Sequence, residues 1–120
     1  MSDKESTEKA IQSILDTAIE TNSRQMARTK LLGEGLESCP DEWRIQANDL
    51  YEILRFNTEM RDDYIRFLKD LKEGLKYIDD TSKLYDLVLD IGDSLEELDK
   101  TDSKYIKRFD GFTKNTLGGE

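Results

Sequence analysis

The chain has 120 residues, enough for one domain with a modest core, and 38% of them are charged. Twenty-seven acids against 18 bases give a net charge of −9, which argues against a surface for nucleic-acid phosphates, where Lys and Arg must cluster. Histidine is absent, so histidine phosphorelay, Ser-His-Asp catalysis and the usual zinc-histidine sites are excluded, and the single Cys39 allows no internal disulfide.

One proline and seven glycines do not support a turn-rich β fold. An apolar content of 36% is low for a compact globule and ordinary for helices that bury a stripe. The first element expected is a helix over residues 6–33. Ser6 or Thr7 can cap it, with Glu8 in its first turn. Ile11, Ile14, Leu15, Ala18 and Ile19 form its apolar face at helical spacing. Asn22, Gln25 and Thr29 then fall where that face should continue, before Leu31, Leu32 and Leu36 resume it. Two readings fit: an exposed, weakly packed stretch, or a polar layer that fixes register against a neighbour.

Gly33 and Gly35 are expected to end this helix as flexible cap residues. Ser38 or Cys39 then sits at the next N-cap, with Pro40 in the first turn and Asp41 and Glu42 behind it. A helix therefore starts at Pro40 and is expected to run to residue 78. It carries the most regular seam in the chain: Trp43, Ala47, Leu50, Leu54, Asn57, Arg61, Tyr64, Leu68, Leu71, Leu75 and Ile78. A seam repeating every 3.5 residues implies another helix lying along it. A second apolar line, Ile45, Tyr51, Ile53, Phe56, Met60, Ile65, Phe67 and Tyr77, implies a second neighbour. Asn57 and Arg61 interrupt the seam at its centre. In an antiparallel pair they would face the polar middle of the first helix, near Asn22 and Gln25.

Asp79-Asp80-Thr81-Ser82 reads as a turn with an Asp or Thr cap, although one bent helix through this point remains open without a Gly or Pro. A third helix is expected over 82–109, on Leu84, Val88, Ile91, Leu95 and Leu98, then Asp102, Tyr105, Phe109 and Phe112. Lys100-Thr101-Asp102-Ser103 is a candidate kink. Residues 111–120 read as a flexible tail. The expected fold is all-α: a single helical domain over 1–110, either a three-helix antiparallel bundle or an extended coiled-coil helical array.

Asp86, Asp90, Asp93 and Glu97 share one helix face, in a segment from Asp86 to Asp99 with six acids and no base. They suit docking to a basic partner and equally suit a solvated outer face. Trp43, in the first turns of its helix, is a candidate interface anchor. Cys39 beside a helix N-terminus lacks a histidine partner and carries no catalytic expectation. No catalytic, cofactor or metal site is expected, since no nucleophile, base and orienting group can be assembled and no calcium-loop pattern occurs. No apolar run approaches the roughly 20 residues needed to span a bilayer, and Met1-Ser2-Asp3-Lys4-Glu5 lacks the core of a signal peptide. The expected setting is the cytoplasm, or the nucleus in a eukaryote.

The function expected is a non-enzymatic interaction protein, an adaptor or structural subunit of a complex. It would pack its seams against another protein or a second copy of itself, without binding nucleic acid directly. Its candidate partner-binding residues are Trp43, Leu50, Leu54, Asn57, Arg61, Tyr64, Leu68, Leu71, Asp86, Asp90, Asp93 and Glu97. The alternative is a small acidic inhibitor, of the phage or plasmid antagonist type, that occupies a basic site through its four-acid stripe.

Overall fold

The computed structural model describes residues 3–112 and shows three long helices packed side by side. α1 spans Asp3–Gly35, α2 Asp41–Gly74 and α3 Ser82–Phe112. No strand occurs among the described residues. Every pair of helices is in contact, and the rod measures 58 × 18 × 18 Å. That length matches helices of 31 to 34 residues at about 1.5 Å per residue lying nearly parallel to one axis. Short connections make α1 antiparallel to α2 and α2 antiparallel to α3. The expected bundle is therefore the architecture, and the turn near residue 80 replaces the single bent helix.

α1 starts by Asp3, well before the expected Ser6 or Thr7 cap, and Thr7 lies buried within it. Gly33 and Gly35 do not cap it in the left-handed conformation. Both remain helical, and no described residue has positive φ. The chain instead tightens into a 3-10 turn over Leu36–Ser38, and the Cys39 N–H donates to the Leu36 carbonyl at 3.2 Å. Pro40 is what stops the helix. Its ring disfavours helical geometry at the residue before it, and Cys39 is extended, with φ −71° and ψ 134°. Pro40 itself takes the N-cap position, one residue outside the helix, and no side chain caps α2 there. Arg44 Nη2 reaches back 3.0 Å to the Cys39 carbonyl.

The second connection repeats the first. Glu34-Gly35-Leu36 and Glu73-Gly74-Leu75 have the same sequence, and both glycines sit at φ −75° and ψ −16°. α2 thus ends at Gly74, short of the expected residue 78, and a 3-10 turn spans Leu75–Tyr77. Ile78 is extended and donates to the Leu75 carbonyl at 3.1 Å. Leu75 is buried and plugs this end of the bundle. Asp80 Oδ1 then accepts from the Ser82 N–H at 3.0 Å and from the Ser82 hydroxyl at 2.8 Å, which opens α3. Those two bonds, the backbone one first, hold the Asp80 carboxyl below the usual carboxylate range. α3 runs to Phe112, past the expected end at 109. Residues 113–120 of the expected tail lie outside the described residues.

The buried apolar residues fall into two groups. The larger joins Ile11, Leu15 and Ala18 of α1 to Ile65 and Leu68 of α2 and Val88, Ile91 and Leu95 of α3. The smaller joins Leu32 to Leu50 and Leu54, with Tyr51 and Tyr105 against them. Between the two lies a layer of polar side chains.

Candidate functional site

Arg61 sits on the seam of α2 at the middle of the rod and is fully buried. An unpaired guanidinium there would cost several kcal/mol, on the order of the desolvation of one ion. Its partners come from both neighbouring helices. Nη1 donates to Asn22 Oδ1 of α1 at 3.4 Å. Nη2 donates to Asp99 Oδ1 of α3 at 3.0 Å and also to Asp102 Oδ2. Asp102 is as buried as Arg61, and its second oxygen accepts from Asn57 Nδ2 at 3.0 Å. Asp99 is half-exposed beside a small opening between α1 and α3, lined also by Ser13, Thr17, Gly92 and Glu96.

Both Asp102 oxygens and both terminal Arg61 nitrogens are therefore engaged, and Arg61 Nε has no partner among the described residues. The physical effect of this group is on register. A slip of α3 by one turn, about 5.4 Å, would strand two buried opposite charges. Of the three polar residues that interrupt the apolar face of α1, Asn22 follows the second sequence reading by meeting Arg61. Thr29 is buried but donates to the Gln25 carbonyl of its own helix at 2.7 Å, and Gln25 is half-buried with no partner for its Oε1 among the described residues.

Around this closed layer the other candidate residues separate. Leu50, Leu54 and Leu68 are buried by the chain's own helices. Tyr64 and Leu71 are half-buried against the larger apolar group. Asn57 and Arg61 belong to the polar layer. Trp43 is 42% exposed. Asp86, Asp90, Asp93 and Glu97 all face solvent on α3, and Glu97 accepts from Lys100 at 3.3 Å.

The second apolar line of α2 divides. Tyr51 and Ile65 turn toward α1. Phe56, Met60 and Phe67 stay on the outer α3 side, and Phe56 is 60% exposed. There α2 and α3 leave an open groove of about 460 Å³, lined by Met60, Asp63, Tyr64, Phe67, Leu87 and Ile91. Leu87 was not among the expected contact residues. Its signal in the sequence is the run Leu87-Val88-Leu89, which is more apolar than one buried face needs. The carboxylate partners of Arg61 were also missed as a site, although Asp102 stood on the third seam.

Among the described residues no group of three or more Cys, Asp and Glu side chains could hold a metal ion, and no helix is long and apolar enough to cross a membrane. No family model, curated protein or solved structure matches the chain, so its function rests on its own residues.

Proposed function

We propose that this chain is a non-enzymatic helical interaction protein, an adaptor or subunit of a protein complex, which packs helices of another protein against its own. The observation that carries this reading is the apolar surface left once the core has closed. Phe67 of α2 and Leu87 of α3 are each at least 40% exposed and line the open groove with Met60, Tyr64 and Ile91, and Phe56, exposed by 60%, lies on the same face of α2 one turn before Met60. Single exposed apolar residues are ordinary, but a group of them around an open groove marks a contact surface. Because Leu50, Leu54 and Leu68 are already used internally, the proposed contact moves from the seam of α2 to its outer line and to Trp43. The proposed setting is cytoplasmic, or nuclear in a eukaryote.

A second reading, a small acidic inhibitor, draws on one observation. From Asp79 to Asp99 there are eight acids and one base, Lys83. An inhibitor held mainly by charge should lose affinity steeply as salt shortens the Debye length from about 30 Å at 0.01 M to about 8 Å at 0.15 M. A packed apolar interface should change little.

Photo-crosslinking in the source cells tests the first reading, with p-benzoylphenylalanine placed at Trp43, Phe67 or Leu87 in turn. A discrete crosslinked protein from at least one position is the expected result. A chain that migrates free and crosslinks to nothing from all three positions overturns it.

A further inference from the structure

We infer that the groove between α2 and α3 takes one basic amphipathic helix from a different protein, laid along Phe67 and Leu87 as a fourth helix of the bundle. This rests on the reading of the chain as an interaction protein and adds the chemistry of the occupant. The floor of the groove is apolar: Met60, Tyr64 and Phe67 from α2, Leu87 and Ile91 from α3. Its lining spans two turns of α2, Met60 to Phe67, and one of α3, Leu87 to Ile91, which offers contacts to a helix presenting residues at i, i+3, i+4 and i+7.

The rim is acidic. Asp63 lines the groove itself, Asp70 follows Phe67 by three residues, and Asp90 follows Leu87 by three, so each stands one turn along the same side of its helix. All three are exposed, as are Asp86 and Asp93 farther round α3. None of these five carboxylates forms an ion pair among the described residues, while the outer face of α2 elsewhere pairs its charges internally, as in Arg55 with Glu52 and Glu59 and Arg66 with Asp62. An unneutralised acidic rim around an apolar floor selects an occupant with an apolar stripe and flanking lysines or arginines.

A second copy of the chain fits poorly. Two copies meeting face to face would bring their acidic rims together. The basic stretches, Arg24, Arg28 and Lys30 on α1 and Lys100, Lys104, Lys107 and Arg108 on α3, lie away from the groove, so a second copy would reach it through them only in a head-to-tail contact that does not close into a dimer.

The test uses the full chain and two labelled peptides of about 20 residues, long enough for isolated helices to form. Both carry leucines at helical spacing; one has lysine at every other position and the other glutamate. Fluorescence anisotropy should show the leucine–lysine peptide binding and the leucine–glutamate peptide not binding. The F67A/L87A double variant should weaken binding at least about tenfold, and D63K/D90K should do the same and flatten the salt dependence. Phe67 and Leu87 are 45% and 40% exposed, so circular dichroism should show both variants still helical.

Equal binding of the two peptides, or binding indifferent to both double variants, overturns the inference. So does light scattering that shows a wild-type dimer split by F67A/L87A, which would make a second copy the occupant. A natural partner that crosslinks from Trp43 but not from Phe67 or Leu87 removes this groove and leaves the interaction reading standing.

Discussion

α2 carries two apolar lines, and the molecule treats them in opposite ways. Along the seam, Leu50, Leu54 and Leu68 are at most 7% exposed, and even the two polar interruptions are matched by Asn22, Asp99 and Asp102. Along the outer line, Ile45 and Phe56 are at least 60% exposed and Phe67 lines an open groove. Both lines have similar residue types. The difference is that three helices can cover the inward side of each member and no more. A seam with a polar layer answered from inside the chain is a folding device. An apolar line with nothing over it, beside unpaired acids, is the surface that the proposed partner would cover.

The largest effects should come from breaking the closed line at its charged centre. Asp102→Leu leaves Arg61 buried with only Asp99 and Asn22, and removing one partner of a buried ion pair typically costs about 3–5 kcal/mol. Adding Arg61→Met should recover most of that loss, because an apolar pair of similar volume is often neutral or better. Urea denaturation of both single variants and the double variant measures the coupling. Additive losses would show that the layer contributes nothing as a unit.

Next in size is a direct contrast of the two lines. Leu54→Ala removes a side chain that is 1% exposed and should cost about 2–5 kcal/mol. Phe67→Ala removes a larger one that is 45% exposed, yet it should cost no more than about 1 kcal/mol in the free chain, since much of its surface is already hydrated. Equal losses would mean that the outer line is structural and not held for a partner.

Much of the closed line was legible. Its period is local, and the break before Pro40 and the start of α3 after Asp80 follow from proline sterics and side-chain capping, whereas the end of α2 at Gly74 lay four residues before the expected one. The polar match of Arg61 to Asn22 was also within reach, because an antiparallel turn of known length brings the two helix centres together. Asp102 was harder. It lies at a seam position of α3, but in Lys100-Thr101-Asp102-Ser103 it resembles a turn residue, and only the packed fold shows that the helix continues through it under Arg61. The open line was least legible. Tyr51, Ile65, Phe56 and Phe67 look alike in sequence, and periodicity assigns them to a side of α2 without saying which side a third helix leaves bare.

Two glycines give the smallest and sharpest form of the contrast. Gly33 lies on the closed side, where α1 meets α2. An added Cβ there would come within 3.0 Å of Tyr51 Cε2, so the ring must shift or the helices must part. Gly74, at the end of α2, has nothing within 4 Å of that position and is helical at φ −75° and ψ −16°. Alanine restricts the unfolded chain at both sites and favours helix at both. The substitutions should nevertheless differ in sign. Gly74→Ala should stabilise by about 0.4–1 kcal/mol, and Gly33→Ala should destabilise by about 1 kcal/mol through overpacking. Thermal melts followed by circular dichroism resolve both. If Gly33→Ala stabilised as much as Gly74→Ala, the α1–α2 face would be loose enough to accept a methyl group, and the packing distinction between the closed and open sides of α2 would fail at that point.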